Sequence, residues 1–193
     1  MNTKKDLRKK VLQEREEFDE FKFFAANEKI INSIKETFEY LASEHRKKSN
    51  KPIVLGLYWP IKGEPDLLKL AISDNKDKTI GLPKMHGSNM KYVYYGFGTK
   101  LEKSGFGEVM QPKSDAAIVP HVIVVAGLAY SVSGYRLGFG VGHYDRYLSD
   151  IKKSQNTITI GVCFDDYLFE RLPREEHDIR FNYIITERTI IKI

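Results

Sequence analysis

An apolar, β-branched run at residues 122–129 is followed by Gly134-Tyr-Arg-Leu-Gly-Phe-Gly-Val-Gly-His-Tyr-Asp-Arg-Tyr-Leu148, which leads into a helical pattern. A buried strand, a glycine-rich turn and a helix start belong together in α/β architecture, where ligands bind beyond the carboxyl ends of strands. Gly134, Gly138, Gly140 and Gly142 carry no Cβ, so their amides are uncrowded and positive φ angles are open to them. Amides that converge at a helix N-terminus favour an anion, above all phosphate. Arg136 and Arg146 are candidate phosphate donors, and Asp145 is a candidate ligand for a divalent cation. The same spacing also suits a tight turn that lets a helix pack on a sheet. The run is not a Walker loop, because the terminal Gly-Lys-Ser/Thr is absent. Nor is it a dinucleotide fingerprint, since His143 stands where GxGxxG needs its last glycine.

A chain of 193 residues is expected to form one domain, 1–193, with a core of useful size. A net charge of +5 favours anionic partners such as nucleotides. The excess gathers in Lys4, Lys5, Arg8, Lys9 and Lys10, and again in Arg46, Lys47, Lys48 and Lys51. Zinc-finger spacing and RNA-binding signatures are absent, so no nucleic-acid partner is expected. Cys163 is the single cysteine, which excludes an intrachain disulfide and a cysteine metal cage. No run reaches transmembrane length, and the charged start from Met1 to Arg15 lacks the apolar core of a signal peptide. A cytoplasmic protein with no membrane partner is therefore expected.

Residues 6–24 are strongly charged, with Leu7, Val11, Leu12 and Phe18 in partial helical spacing. Residues 28–45 predict an amphipathic helix through Ile30, Ile31, Ile34, Phe38 and Leu41, ended by Ser49-Asn-Lys-Pro52. Strands are expected at 53–59, 79–82, 90–95, 122–128, 157–164 and 183–186. A short helix is expected at 65–72 and a longer one at 144–152. Residues 96–120 show weak periodicity and predict a long loop, either a lid or partly disordered. Short β-branched runs alternating with helices predict an α/β fold, a three-layer-like sandwich around a largely parallel sheet.

These residues resemble the 5-formyltetrahydrofolate cyclo-ligases, also called 5,10-methenyltetrahydrofolate synthetases. The family hallmark is close to Pro-Gly-Leu-Ala-Phe-Asp, two variable positions, then Gly-x-Arg-Leu-Gly-x-Gly-x-Gly-Tyr-Tyr-Asp-Arg. This chain has Ala126-Gly-Leu-Ala-Tyr-Ser131 and then the glycine run to Arg146. Lys4-Lys-Asp-Leu-Arg8, residues 58–68 with Glu64, Ile160-Gly-Val-Cys-Phe164, Leu172-Pro173, His177-Asp178 and Ile184-Ile-Thr-Glu187 follow the family order. The resemblance spans almost the whole chain. It implies the cyclo-ligase (NagB/RpiA/CoA-transferase-like) fold and a ring closure that depends on ATP and Mg²⁺. In that family, ATP phosphorylates the formyl oxygen of 5-formyltetrahydrofolate, and N10 attacks the activated carbon. Loss of phosphate then leaves the 5,10-methenyl bridge. The implied substrate is 5-formyltetrahydrofolate, with or without a polyglutamate tail, and the implied state is a monomer or weak homodimer.

Carried over position by position, Lys4, Lys5, Asp6, Leu7 and Arg8 are implied ATP contacts from the first helix. Arg136, Leu137, Gly138, Phe139, Gly140, Val141, Gly142, His143 and Tyr144 form the implied ATP loop. Phe139, Gly140, Val141, Gly142 and His143 also line the implied folate site, with Trp59 and Glu64. A carboxylate at Glu64 can accept hydrogen bonds from a pterin amino group and ring N–H. Arg136, Tyr144 and Asp145 are the implied catalytic residues, and Asp145 and Asp178 the implied metal ligands. The chain departs from the family pattern at Ala126 for proline, Ser131 for an acid, His143 for tyrosine, Tyr167 for glutamine and Asn182 for an acid. Those departures raise an alternative: a divergent member that binds nucleotide or folate without turnover.

Overall fold

The computed structural model describes every residue except 1, 2, 18, 19, 62, 72–77, 155 and 177. The expectations at Phe18, Ile72 and His177 therefore lie outside the described residues. Thr3 and Asp6 form a capping box, each side chain accepting from the other's backbone N–H, and so start helix α1 (Lys4–Glu16). Its buried face holds Leu7, Val11 and Arg15. Helix α2 (Glu20–Arg46) begins well before residue 28. Phe23 packs its ring on Phe164 at 5.2 Å and Ala26 is buried, which extends the apolar face of Ile30, Ile31 and Ile34 backwards.

The strands follow as β1 (Ile53–Gly56), β2 (Lys78–His86), β3 (Asn89–Tyr94), β4 (Leu101–Lys103), β5 (Met110–Pro112) and β6 (Ala117–Ile118). Next come β7 (Val122–Ala126), β8 (Ala129–Ser131), β9 (Arg136–Leu137) and helix α3 (His143–Ser154). The chain closes with β10 (Ile158–Val162), β11 (Leu168–Phe169), β12 (Tyr183–Ile185) and β13 (Ile190–Lys192). The main sheet has the order β13-β12-β10-β7-β1-β2-β3-β6. Its middle, from β12 through β10, β7 and β1 to β2, is parallel, and the flanks are antiparallel. Every residue of β7 is buried, so both faces of the sheet are covered, as expected for a parallel sheet.

Chain order reverses between β1 and β7. From β1 the sheet grows through β2 and β3 to β6; from β7 it grows the other way through β10 to β13. Such a switch point leaves a crevice beyond the carboxyl ends of its two strands. Leu57 N still donates to Gly81 O at 2.8 Å, but the segment after it leaves the sheet, which shortens the strand expected at 53–59.

Several expectations need correction. A 3₁₀ turn at Leu68–Ala71 stands where a helix was expected at 65–72. Residues 96–120 hold the β4–β5 hairpin and β6, strands too short to show alternation. Lys84 secures that hairpin by donating to Lys113 O at 2.6 Å and Ser114 O at 3.1 Å, and Met85 N donates to Gln111 Oε1 at 2.9 Å. The glycine run does not follow β7 directly, because the antiparallel β8–β9 ladder intervenes. Among the described residues no helix is long and apolar enough to cross a membrane.

Packing between β10 and the small sheet leaves no space at Gly161. A Cβ there would lie 2.2 Å from Tyr130 Cε1, and the Tyr130 ring is fully buried with its hydroxyl on Val125 O at 2.6 Å. Gly161→Ala is expected to destabilise the fold by about 3 kcal/mol in urea unfolding, the upper range for overpacking.

Candidate active site

A cleft of about 590 Å³ opens at the switch point. Tyr58, Trp59 and Glu64 reach it from the segment after β1, and Ala126 from the end of β7. Lys4 and Arg8 come from α1, Pro83 and Met85 from β2, Phe106 and Glu108 from the β4–β5 tip, and Glu175 and Asp178 from the turn before β12. The glycine loop, His143, Tyr144 and Asp145 complete the wall. The structure thus brings together most of the expected residues. Lys5 and Asp6 are exposed outside the cleft, and Leu7 and Leu137 are core residues.

The loop at 138–142 depends on glycine. Gly140 has φ 96° and Gly142 has φ 76°, values that side-chain-bearing residues avoid. Arg8 lies along this loop, its Nε donating to Gly138 O at 2.8 Å, and a Cβ on Gly140 would sit 3.5 Å from its Cζ. The loop's own side chains, Phe139 and Val141, are apolar, so α1 supplies positive charge here.

Arg136 runs beneath the loop. Its Nη2 donates to both Asp145 oxygens, at 3.1 and 3.2 Å, while its Nε is buried with no hydrogen-bond partner among the described residues. The guanidinium lies 5.3 Å from the centre of the Tyr144 ring. Burial works against its charge, but Asp145 and the neighbouring tyrosines outweigh that and raise its pKa. Arg136 therefore holds Asp145 at the start of α3 in this structure. Arg146, a candidate phosphate donor by sequence, does not line the cleft; it donates to Ser88 O and Val141 O on the outer side of the loop.

Lys4 is clamped in the same cleft, with Nζ 2.7 Å from Asp178 Oδ2 and 3.1 Å from Glu175 Oε2. Burial opposes the Lys4 charge, yet its hydrogen bonds to Asp178 and Glu175 keep its pKa above the ordinary lysine value. Among the described residues no group of three or more His, Cys, Asp and Glu could hold a metal. Asp145 and Asp178 are nevertheless oxygen donors in one cleft with the glycine loop. That set suits Mg²⁺, which binds through one or two carboxylates, phosphate oxygens and water.

Glu64 is 6% exposed and accepts from Ile61 N at 3.1 Å. Burial raises its pKa to about 7, against the Ile61 hydrogen bond and the fields of Arg15 and Arg136. His143 Nε2 pairs with Gly87 O at 3.1 Å, and a carbonyl only accepts, so that nitrogen carries the proton. Phe106 packs edge-on against the His143 ring at 4.6 Å. Sequence reasoning missed Phe106; its one signal is an aromatic residue between Gly105 and Gly107, both at positive φ.

The departures from the family pattern mostly lie elsewhere. Ser131 Oγ accepts from Tyr135 N at 3.1 Å within the β8–β9 turn. Tyr167 lies under the Arg15 guanidinium at 4.7 Å, and Asn182 Oδ1 accepts from Thr159 N at 2.9 Å. Of the departures, only Ala126 and His143 line the cleft.

The sequence matches the model of the 5-formyltetrahydrofolate cyclo-ligase family over residues 1–187. It is 28% identical over 185 residues to 5-formyltetrahydrofolate cyclo-ligase of Mycoplasma genitalium, covering 96% of this chain and 98% of that one. The fold is similar to that of Aquifex aeolicus 5,10-methenyltetrahydrofolate synthetase, with a TM-score of 0.79, 35% identity and coverage of 98% and 92%. It also resembles the fold of a 5,10-methenyltetrahydrofolate synthetase from Mycoplasma pneumoniae, with a TM-score of 0.66, 20% identity and coverage of 95% and 98%.

Glu64 gives the fold a defined pH dependence. Between pH 4.5 and about 7 the folded chain holds a proton that an unfolded glutamate has lost, so stability falls as pH rises through that window. Glu64→Gln stays neutral throughout. Its stability relative to the wild type is expected to improve by about 3 kcal/mol between acidic and mildly alkaline buffer, read from denaturant melts.

Proposed function

The chain belongs to the 5-formyltetrahydrofolate cyclo-ligase family, and from that premise we propose that this cleft converts 5-formyltetrahydrofolate to 5,10-methenyltetrahydrofolate with ATP and Mg²⁺. One observation carries the reading: a single cleft brings a cationic, glycine-lined set of residues together with a second set, Trp59, Glu64, Met85 and Phe106. The first suits a polyphosphate and the second a flat heterocycle with N–H donors.

The chemistry needs both sets. The formyl oxygen is a poor leaving group until phosphorylated. Transfer of the ATP γ-phosphoryl group to that oxygen gives ADP and an activated carbon. Attack by N10, with loss of its proton, and departure of the oxygen as phosphate close the five-membered ring. The protein's part is chiefly to place the reacting atoms and to stabilise charge on the transferring group. Arg8 and the loop amides would hold phosphate oxygens, while Glu64 would orient the pterin. Held by Asp145 and Asp178, Mg²⁺ would neutralise charge on the phosphates.

Glu64 has further consequence here. A pKa of about 7 leaves the Glu64 carboxyl only partly ionised at neutral pH, and a pterin amino group facing it would draw out the carboxylate. A binding module without turnover is the weaker reading, since Ser131, Tyr167 and Asn182 do not line the cleft. A cytoplasmic monomer or weak homodimer, acting on a small molecule with or without a polyglutamate tail, completes the proposal.

Absorbance at the methenyl-folate band tests the reaction directly. It should rise when the protein meets 5-formyltetrahydrofolate only if Mg-ATP is present; a flat trace from folded protein would refute the reading. Arg8→Met should raise KM for ATP about tenfold or more, with a much smaller change in KM for the folate.

A further inference from the structure

The outer side of the glycine loop is gripped by a residue that does not line the cleft. Arg146 Nη2 donates to Val141 O at 3.1 Å and to Ser88 O at 3.0 Å, and its Nε donates to Ser88 O at 3.2 Å. Three residues earlier on α3, His143 Nε2 donates to Gly87 O. Residues three apart share a helix face, so the first turn of α3 holds the tip of the β2–β3 hairpin. Contact at Gly142 is close: a Cβ there would sit 2.8 Å from Arg146 Nη1.

Peptide geometry gives this grip a consequence in the cleft. In a trans peptide the C=O and the next N–H point in opposite directions. With the Val141 carbonyl turned to Arg146, the Gly142 N–H is turned to the other side of the loop. Among the described residues that N–H has no hydrogen-bond acceptor. Arg8 treats the other end alike by taking the Gly138 carbonyl, which turns the following amide away from it. The two arginines hold the loop from opposite ends by its carbonyls.

We propose that Arg146 is a positioning residue for the nucleotide: it binds no ligand itself but aims the Gly142 amide at a phosphate oxygen. This rests on the reading of the loop as the ATP phosphate site. Arg146 is exposed, and its replacement removes no core contact.

The test compares wild type, Arg146→Met and Arg146→Lys by steady-state kinetics and by calorimetric ATP binding. Arg146→Met is expected to raise both KM and Kd for ATP about five- to tenfold. KM for 5-formyltetrahydrofolate, kcat and Tm should stay near wild type, and Arg146→Lys should recover part of the loss. The loss should persist in about 0.5 M KCl, because a local hydrogen bond is screened far less than a long-range charge. Unchanged ATP affinity in Arg146→Met would overturn the proposal, as would a loss that vanishes in salt or a parallel fall in every parameter together with Tm. Wild-type protein that fails to bind ATP would instead overturn the functional reading, and the inference with it.

Discussion

Arg136 is enclosed beneath the glycine loop, and Asp145 is the carboxylate that makes its charge tolerable there. The pair ties the β9 strand to the first turn of α3, so it sets where the loop between them runs. Glycines around it are dictated by the same side chain. A Cβ on Gly127 would lie 2.9 Å from Arg136 Cγ, and one on Gly138 3.2 Å from Nη2. A buried pair of this kind adds little net stability, but loss of one partner strands the other in a medium that cannot solvate it. Asp145 is therefore both a support of the fold and a candidate metal ligand. A deficit in any Asp145 variant has to be divided between those roles before it is read as chemistry.

The strands that flank the switch point were largely legible in the sequence, but their order in the sheet was not. The apolar runs that became β1, β2, β3, β7 and β10 are long enough to stand out, and the glycine run marks the crevice beside them. Strands β4, β5, β8, β9 and β11 were not legible, because two or three residues carry no periodic signal. They are held instead by tertiary contacts, such as Lys84 on the carbonyls of Lys113 and Ser114. The site shows the same division. Lys4 and Arg8 are one helical turn apart and share the face that meets the cleft. Lys5, Asp6 and Leu7 stand between them in sequence and are rotated away, to solvent or to the core. A motif carried over as a continuous run cannot make that distinction; helix geometry can. Phe106 was hidden for another reason, since it reaches the cleft only because the hairpin is tethered to β2.

The arrangement of charge completes the physical account. The glycine loop offers amides but no cationic side chain, since Phe139 and Val141 occupy its variable positions. Lys4 is already engaged by Asp178 and Glu175, and Arg136 by Asp145. Arg8 spends its Nε on Gly138 O and keeps its guanidinium against Gly140. The charge that can meet a polyphosphate thus arrives on α1, a helix docked through Leu7, Val11 and Arg15. Arg15 strengthens that docking by donating to the carbonyls of Gly127 and Leu128 at 2.7 and 2.9 Å, just beyond β7. On the proposed reading, placement of α1 and capacity to bind the anion are consequently one property. The net charge of +5 measures neither, because the decisive positive charge is the one held at the switch point by a buried helix face.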